Sequence, residues 1–208
     1  MSPKFKKSYK MKRFFYQQFK KINSENLDKS NMFWSWIGSF LGIMAIAYFH
    51  TDFLDDEGLI LVLSSFGASA VLIYGAVNSP LAQPRNLIGG HVISAIIGVI
   101  AYKLFSPNLY LASAIAVSTA ILVMQLTLTL HPPGGATALI AVIGNSEIHE
   151  LGFFYVLVPV FSGAVILFLI AFIINNIPKN RAYPESYKNY LKKHYQRYKR
   201  KTLKKRKV

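Results

Sequence analysis

The sequence predicts an all-α protein, a polytopic membrane helix bundle of about six segments, one of them only half a span long. Three observations predict it. Of 208 residues, 52% are hydrophobic and 16% charged, against about a quarter charged in soluble domains. The charge is segregated: nine of the 24 lysines and arginines precede Asn31, thirteen follow Ile177, and only Arg85 and Lys103 lie between. Finally, the apolar middle is interrupted by His131-Pro132-Pro133-Gly134-Gly135-Ala136-Thr137-Ala138, where breaking a helix is expensive.

Residues 1–32 alternate lysines with Phe5, Phe14, Phe15 and Phe19. The first long apolar run starts too late for a cleaved signal peptide, so this segment is expected to lie on the cytoplasmic membrane surface as a basic amphipathic stretch. Residues 33–50 form the first span, opened by Ser30-Asn31 and anchored by Trp34 and Trp36 at headgroup level. An acidic link follows at 52–57. The second span, 59–77, carries Ser64, Ser65, Ser69, Gly67 and Gly75, small residues that let backbones approach and place it centrally. A turn-rich connector, Asn78 to Asn86, leads to a third span, 87–105, with Gly89-Gly90-His91 in its first turn and Lys103 snorkelling at its far end. Ser106-Pro107-Asn108 turns the chain into a fourth span, 111–130, polar on one side through Ser118, Gln125, Thr127 and Thr129.

Consecutive prolines remove two backbone donors and bias His131 away from helical dihedrals, so the fourth span is expected to end near Leu130. Residues 136–144 then reach about 15 Å, half a bilayer core. A half-helix beginning at two glycines would present unpaired amides and a positive dipole end, an anion seat at membrane depth. A tight surface loop is the alternative. After an acidic link at 147–150, a last span runs from Gly152 to about Ile174, and the tail from Arg181 sets tyrosines at helical spacing among lysines.

This gives three regions: a cytoplasmic amphipathic segment (1–32), a transmembrane domain (33–176) and a basic cytoplasmic tail (177–208). Basic tails on one side require an even number of crossings, with the acidic links outside. Six crossings, or four plus a re-entrant hairpin, satisfy this. Gly67-Ala68-Ser69-Ala70 and Gly135-Ala136-Thr137-Ala138 align at an offset of 68, with the first copy running inward and the second outward. Opposed three-span units are the pattern of inverted-repeat transporters; chance similarity between small-residue helices is the alternative.

The segments Phe66-Gly67-Ala68-Ser69-Ala70, Ser79-Pro80-Leu81-Ala82-Gln83-Pro84-Arg85-Asn86, Gly89-Gly90-His91 and His131-Pro132-Pro133-Gly134-Gly135-Ala136-Thr137-Ala138 together resemble the HPP family of integral membrane proteins. The resemblance covers roughly residues 34–184, including Arg181-Ala182-Tyr183-Pro184. It implies a multi-span membrane protein, and it carries an association with nitrite transport in cyanobacterial and plastid members. Some relatives carry a pair of regulatory CBS domains, where this chain has a short basic tail.

Every carboxylate lies in a tail or a link. Cation carriers place acids inside the bundle, so a small oxyanion, nitrite or nitrate, is the expected substrate. The candidate substrate-binding groups are His131, Gly134, Gly135, Thr137, Ser69, Gln125, Arg85 and His91. His131 either accepts a co-transported proton or caps the fourth span. Arg85 either meets substrate at the inner mouth or obeys the positive-inside bias, and His91 is either a donor or a packing residue beside Gly89-Gly90. The five histidines are dispersed and cysteine is absent, so no metal site, cofactor or thiol chemistry is expected. An enzyme using His131 lacks a neighbouring nucleophile or acid in sequence, so none is expected. The expected partners are a small anion and anionic lipid headgroups, with no nucleic acid and a homo-oligomer left open. The expected location is a bacterial inner membrane. A scaffold binding lipid or a partner through its tails is the second functional reading, and it leaves the Pro-Pro-Gly-Gly break unexplained.

Overall fold

The computed structural model describes residues 28–186 and 189. The expected amphipathic segment at the N-terminus and the tyrosine-rich tail fall almost wholly outside the described residues. The chain forms two units, residues 1–32 and 33–208; the account below concerns the second.

Among the described residues there are seven α-helices and no strands: α1 Lys29–His50, α2 Asp56–Ala70, α3 Pro84–Phe105, α4 Leu109–Leu126, α5 Pro132–Ile143, α6 Ser146–Leu151 and α7 Ser162–Ile174. Helix α2 continues into a π-helical turn, Val71–Gly75, and α7 is preceded by another, Val156–Phe161. Five stretches are long and apolar enough to cross a membrane: Lys29–His50, Asp56–Gly75, Pro84–Phe105, Leu109–Leu126 and Val156–Ile174. Their outward surfaces carry bare Met44, Ile60, Leu104, Leu122 and Ile173, as a lipid solvent permits. The chain is a multi-pass integral membrane protein.

The sixth stretch is α5, a shorter apolar helix that leads from one end of the bundle to the other. Thr127 is bonded to Arg85 at the start of α3. Past α5, Asn145 Nδ2 donates to both carboxylate oxygens of Asp55 at 2.9 Å, in the link at the opposite end. Twelve helical residues cover about 18 Å, less than the hydrocarbon thickness of a bilayer.

Two expected boundaries are corrected. Helix α4 ends at Leu126, well before the prolines. Thr129 N–H donates to Met124 O at 2.9 Å and Leu128 N–H to Gln125 O at 3.2 Å, with Leu128 left-handed at φ 56°. That is a Schellman ending with leucine where glycine is usual. Helix α5 begins at Pro132, because proline at the first helical positions lacks only a donor that is unpaired there anyway. The prolines therefore open a helix and do not break one.

Helix α3 packs against α4, α5, α7, the π-helical turn Val156–Phe161 and the short turn Pro80–Ala82, and its glycines set the spacing. A Cβ on Gly98 would lie 2.5 Å from Ala138 O; one on Gly90, 2.5 Å from His131 Cβ; one on Gly134 of α5, 2.9 Å from Gly90 O. By contrast, nothing lies within 4 Å of a Cβ on Gly67 or Gly75, so the close-approach role expected of these two passes to α3 and α5. The inward face of α4 is a stripe of Ala112, Ala116, Ala120 and Met124, while Ser118, Gln125 and Thr127 are exposed. Ser118 and Thr127 return their hydroxyls to their own helix's carbonyls, so the expected polar face of this span is not its packing face.

At the end of the bundle opposite the start of α3, Asp55 caps α2, accepting from Gly58 N–H at 2.7 Å, while Asp55 N–H donates to Glu147 Oε2 at 2.7 Å. The Gly58 bond, with smaller help from Asn145 and Glu147, holds the Asp55 carboxyl below its ordinary value. A depressed folded-state pKa stabilises above the unfolded pKa, near 4, and that contribution disappears as pH falls through the folded value. Asp55→Asn should therefore melt below wild type at pH 7, and the gap should close in thermal melts run well below pH 4.

Candidate functional site

The polar side chains of three helices converge in the middle of the bundle. Ser65 and Ser69, four apart on α2, share one face of that helix. His91 projects from α3 one residue past Gly90, and Thr137 lies two turns into α5 after His131. Each is buried, with His91, His131 and Ser69 at 0% exposure and Ser65 and Thr137 at 2%.

They form one connected chain of hydrogen bonds. Leu81 O meets His131 Nδ1 at 2.8 Å, His131 Nε2 meets Ser69 Oγ at 2.9 Å, and Ser69 Oγ meets His91 Nε2 at 2.7 Å. His91 Nδ1 meets Thr137 Oγ1 at 2.7 Å, and Thr137 Oγ1 meets Ser65 Oγ at 2.8 Å. Ser65 Oγ donates to Pro133 O at 3.1 Å, and the Tyr155 hydroxyl donates to Thr137 O at 3.2 Å. The Phe66 ring lies 4.8 Å from that of His91. Among the described residues no buried side-chain nitrogen or oxygen lacks a partner. Such completeness is what a low-dielectric interior demands of a polar group.

Four expected site residues, His131, His91, Ser69 and Thr137, meet here. Ser69 and Thr137 are equivalent in the 68-residue alignment, and their helices run in opposite directions. Three others do not join. Gln125 is exposed near the end of α4. Arg85 is exposed, and its Nη2 donates to Thr127 O at 2.7 Å, a cation satisfying the carbonyl end of α4. Gly135 is half-buried, its Cβ position touching only Val117 Cγ1 of α4 at 3.9 Å.

The expected amide seat is also corrected. Pro132 and Pro133 have no N–H, and Gly134 N–H donates to His131 O at 2.8 Å, so the paired glycine amides expected to face a ligand are not both open. His131 occupies the N-cap position of α5 without a side-chain cap bond, so it does not cap the fourth span either; its ring belongs to the cluster. Glycine at 134 answers to packing against Gly90 and Ser94. Gly135→Ala should therefore be tolerated or raise stability by roughly 0.5–1 kcal/mol, the ordinary gain of alanine over glycine in a helix, with uptake unchanged; thermal melts and a flux assay check this.

Sequence reasoning missed Ser65, Tyr155 and the Leu81 carbonyl. Ser65 was available as the i−4 neighbour of Ser69. The other two depend on the fold of the connector and on a bend in the last span, where Val158 leaves helical geometry (φ −131°, ψ 117°) just before Pro159. The connector is held from its other side by the tail: Tyr183, fully buried, donates its hydroxyl to Ala82 O at 2.7 Å, and Glu185 N–H donates to Gln83 Oε1 at 2.8 Å. A third buried histidine, His50, bridges Ile46 O and Ser162 Oγ, tying α1 to α7.

Comparison with known proteins bears on this geometry. The family model described as HPP, transmembrane region, matches residues 24–184. A transmembrane protein of Dictyostelium discoideum is 43% identical over 192 residues, covering 87% of this chain and 67% of its own length. A second from the same organism is 45% identical over 182 residues, covering 84% of this chain and 58% of its own length, so the chain spans less than two thirds of that relative. No solved structure matches. The names of these relatives say only that they are transmembrane proteins, and their eukaryotic source lends no support to the expectation of a bacterial inner membrane.

Proposed function

This chain belongs to the HPP transmembrane family, and on that footing we propose that it is a transporter or facilitator of a small inorganic anion, nitrite or nitrate, that passes through the His91–Ser69–His131 cluster. One observation carries the reading: at span depth the chain assembles imidazoles and hydroxyls and no carboxylate. Among the described residues, the acids of the spanning helices are confined to Asp56 and Glu57 in the first turn of α2. Ionisable groups inside a membrane are costly and mark pathways, and a pathway of N–H and O–H donors suits an anion as an acidic one suits a cation.

The cluster is closed on all sides, so this conformation is an occluded one. Access runs from the end where α3 begins, through residues 79–83 or 127–131. Neither stretch belongs to an α-helix, and both are held by a few side-chain bonds: Tyr183 to Ala82 O, Arg85 to Thr127 O, and Asn86 to Leu130 O at 2.8 Å. Movement of either stretch is the gating step of this proposal.

The test is uptake of nitrite and nitrate into proteoliposomes against protein-free vesicles. Uptake indistinguishable from the protein-free background for both anions rejects the reading. The orientation proposed places both ends of the body in the cytoplasm, on the strength of the basic flanks. Cysteines at Asp55 and Ser186, in a chain with none of its own, should label from opposite sides.

A further inference from the structure

The carbonyls at the two ends of the cluster decide where each of its protons sits. Leu81 O can only accept, so His131 Nδ1 carries the proton that faces it. A neutral His131 then accepts at Nε2, and Ser69 donates to it. With its single proton committed, Ser69 accepts from His91 Nε2, which leaves His91 Nδ1 accepting from Thr137. The neutral network has this one satisfied arrangement, and in it the two histidines hold opposite tautomers.

An added proton finds a second complete arrangement. It binds His91 Nδ1, and the Thr137 hydroxyl turns to Ser65 Oγ or to Pro133 O at 3.4 Å. The His91 Nε2 proton then moves to Ser69 Oγ as the Ser69 proton moves to His131 Nε2. Two bonds to hydrogen break and two form. His131 ends doubly protonated, donating to Leu81 O and to Ser69; Ser69 donates back to His91 Nε2; His91 is neutral again, with its proton on Nδ1. No buried donor or acceptor is left alone in either arrangement.

A second added proton would set two cations with ring centroids 5.0 Å apart in a low-dielectric interior, where like charges repel strongly. Among the described residues, the surroundings supply no carboxylate to the cluster. Helix α2 presents Phe66, Ser65 and Ser69; α4 presents Met124; α5 presents Thr137. Among the described residues, the other titratable groups at hand are phenols, Tyr155 at the Thr137 carbonyl and Tyr183 behind the connector. Arg85 is turned to Thr127 O, and Lys103 lies at the far end of α3.

We propose that His91, Ser69 and His131 form a store for one proton, at rest on His131, and that its charge is the counter-charge for the transported anion, so that proton and anion are carried together. This deepens the transporter reading and rests on it.

Solid-state NMR of protein labelled with 15N-histidine in lipid bilayers tests the store directly, each signal being assigned through His91→Gln and His131→Gln. Above the titration, His91 should be protonated at Nε2 and His131 at Nδ1. On acidification one charged imidazole should appear, at His131, and at the same midpoint His91 should move to its Nδ1 form. Ser69→Ala should abolish this tautomer exchange and Ser69→Thr should retain it. Nitrate should raise the midpoint by about one pH unit, the mark of roughly tenfold reciprocal coupling. Two charged rings at one midpoint, a His91 that keeps its tautomer while His131 titrates, or an exchange surviving in Ser69→Ala overturns the store. A flux arm separates this from the transporter reading: nitrate, which has no permeant acid form near neutrality, should move one proton per anion into vesicles holding a pH-sensitive dye. Nitrate uptake without proton movement overturns the coupling and leaves the transporter standing. Absent uptake beside an intact tautomer exchange overturns the transporter, and with it the counter-charge role.

Discussion

Gly98→Ala should lower the melting temperature of the purified protein by roughly 6–12 °C, corresponding to about 3 kcal/mol for a chain of this size. The new methyl would meet Ala138 O at 2.5 Å, Ala141 Cβ at 2.8 Å and Ala138 Cα at 3.0 Å. Two of these are backbone atoms of α5, so relief requires the two helices to separate. Separation would open the contact between Gly90 and Gly134 and pull Thr137 away from His91, so lost stability should be accompanied by lost uptake. Gly67→Ala is the matched control, also a helical glycine made alanine, but with nothing within 4 Å of the added carbon. It should melt at or slightly above the wild-type temperature. If both variants behave alike, the close approach of α3 and α5 is not what holds the bundle together.

His131→Phe should reduce anion uptake to the protein-free background, a loss of at least about a hundredfold if one charge-assisted interaction of 3 kcal/mol is removed from the pathway. Phenylalanine fills a similar volume but deprives the Leu81 carbonyl and the Ser69 hydroxyl of their bonds to His131, leaving Ser69 only His91 Nε2 and, at 3.4 Å, Ser65 O. His131→Gln can restore both bonds, donating from its amide nitrogen and accepting at its oxygen, and it cannot take a proton. Its protein should fold near normally while uptake remains low. Equal uptake by His131→Gln and wild type, at matched protein incorporation, would remove His131 from the transport pathway.

The spans were legible because hydropathy over a span's length is a strong local signal, and the short segment after residue 131 was legible because two prolines and two glycines are conspicuous inside an apolar run. What they do there was not. Proline ends a helix or opens one depending on which side of it the helix lies, and a Schellman turn at Leu128, with no glycine to mark it, had already ended α4. Four members of the cluster could be named from sequence because polar groups in a span must face inward or return to their own backbone. Gln125, Ser118 and Thr127 lie on the outward face, and the two hydroxyls among them return to their own helix; spacing alone does not separate the classes. The Leu81 carbonyl could not have been found this way, since every residue has one and only the fold chooses among them.

The grip of Tyr183 on Ala82 has a mechanical meaning. Ala82 and Leu81 share a peptide unit, so the carbonyl held by the tail's phenol and the carbonyl that fixes the proton on His131 belong to adjacent residues of one short turn. Displacing Pro184 by an ångström or two, whether by a bound protein, a modification or a domain attached beyond it, would act as a crank on that turn. The force would reach the centre of the membrane without any span having to bend.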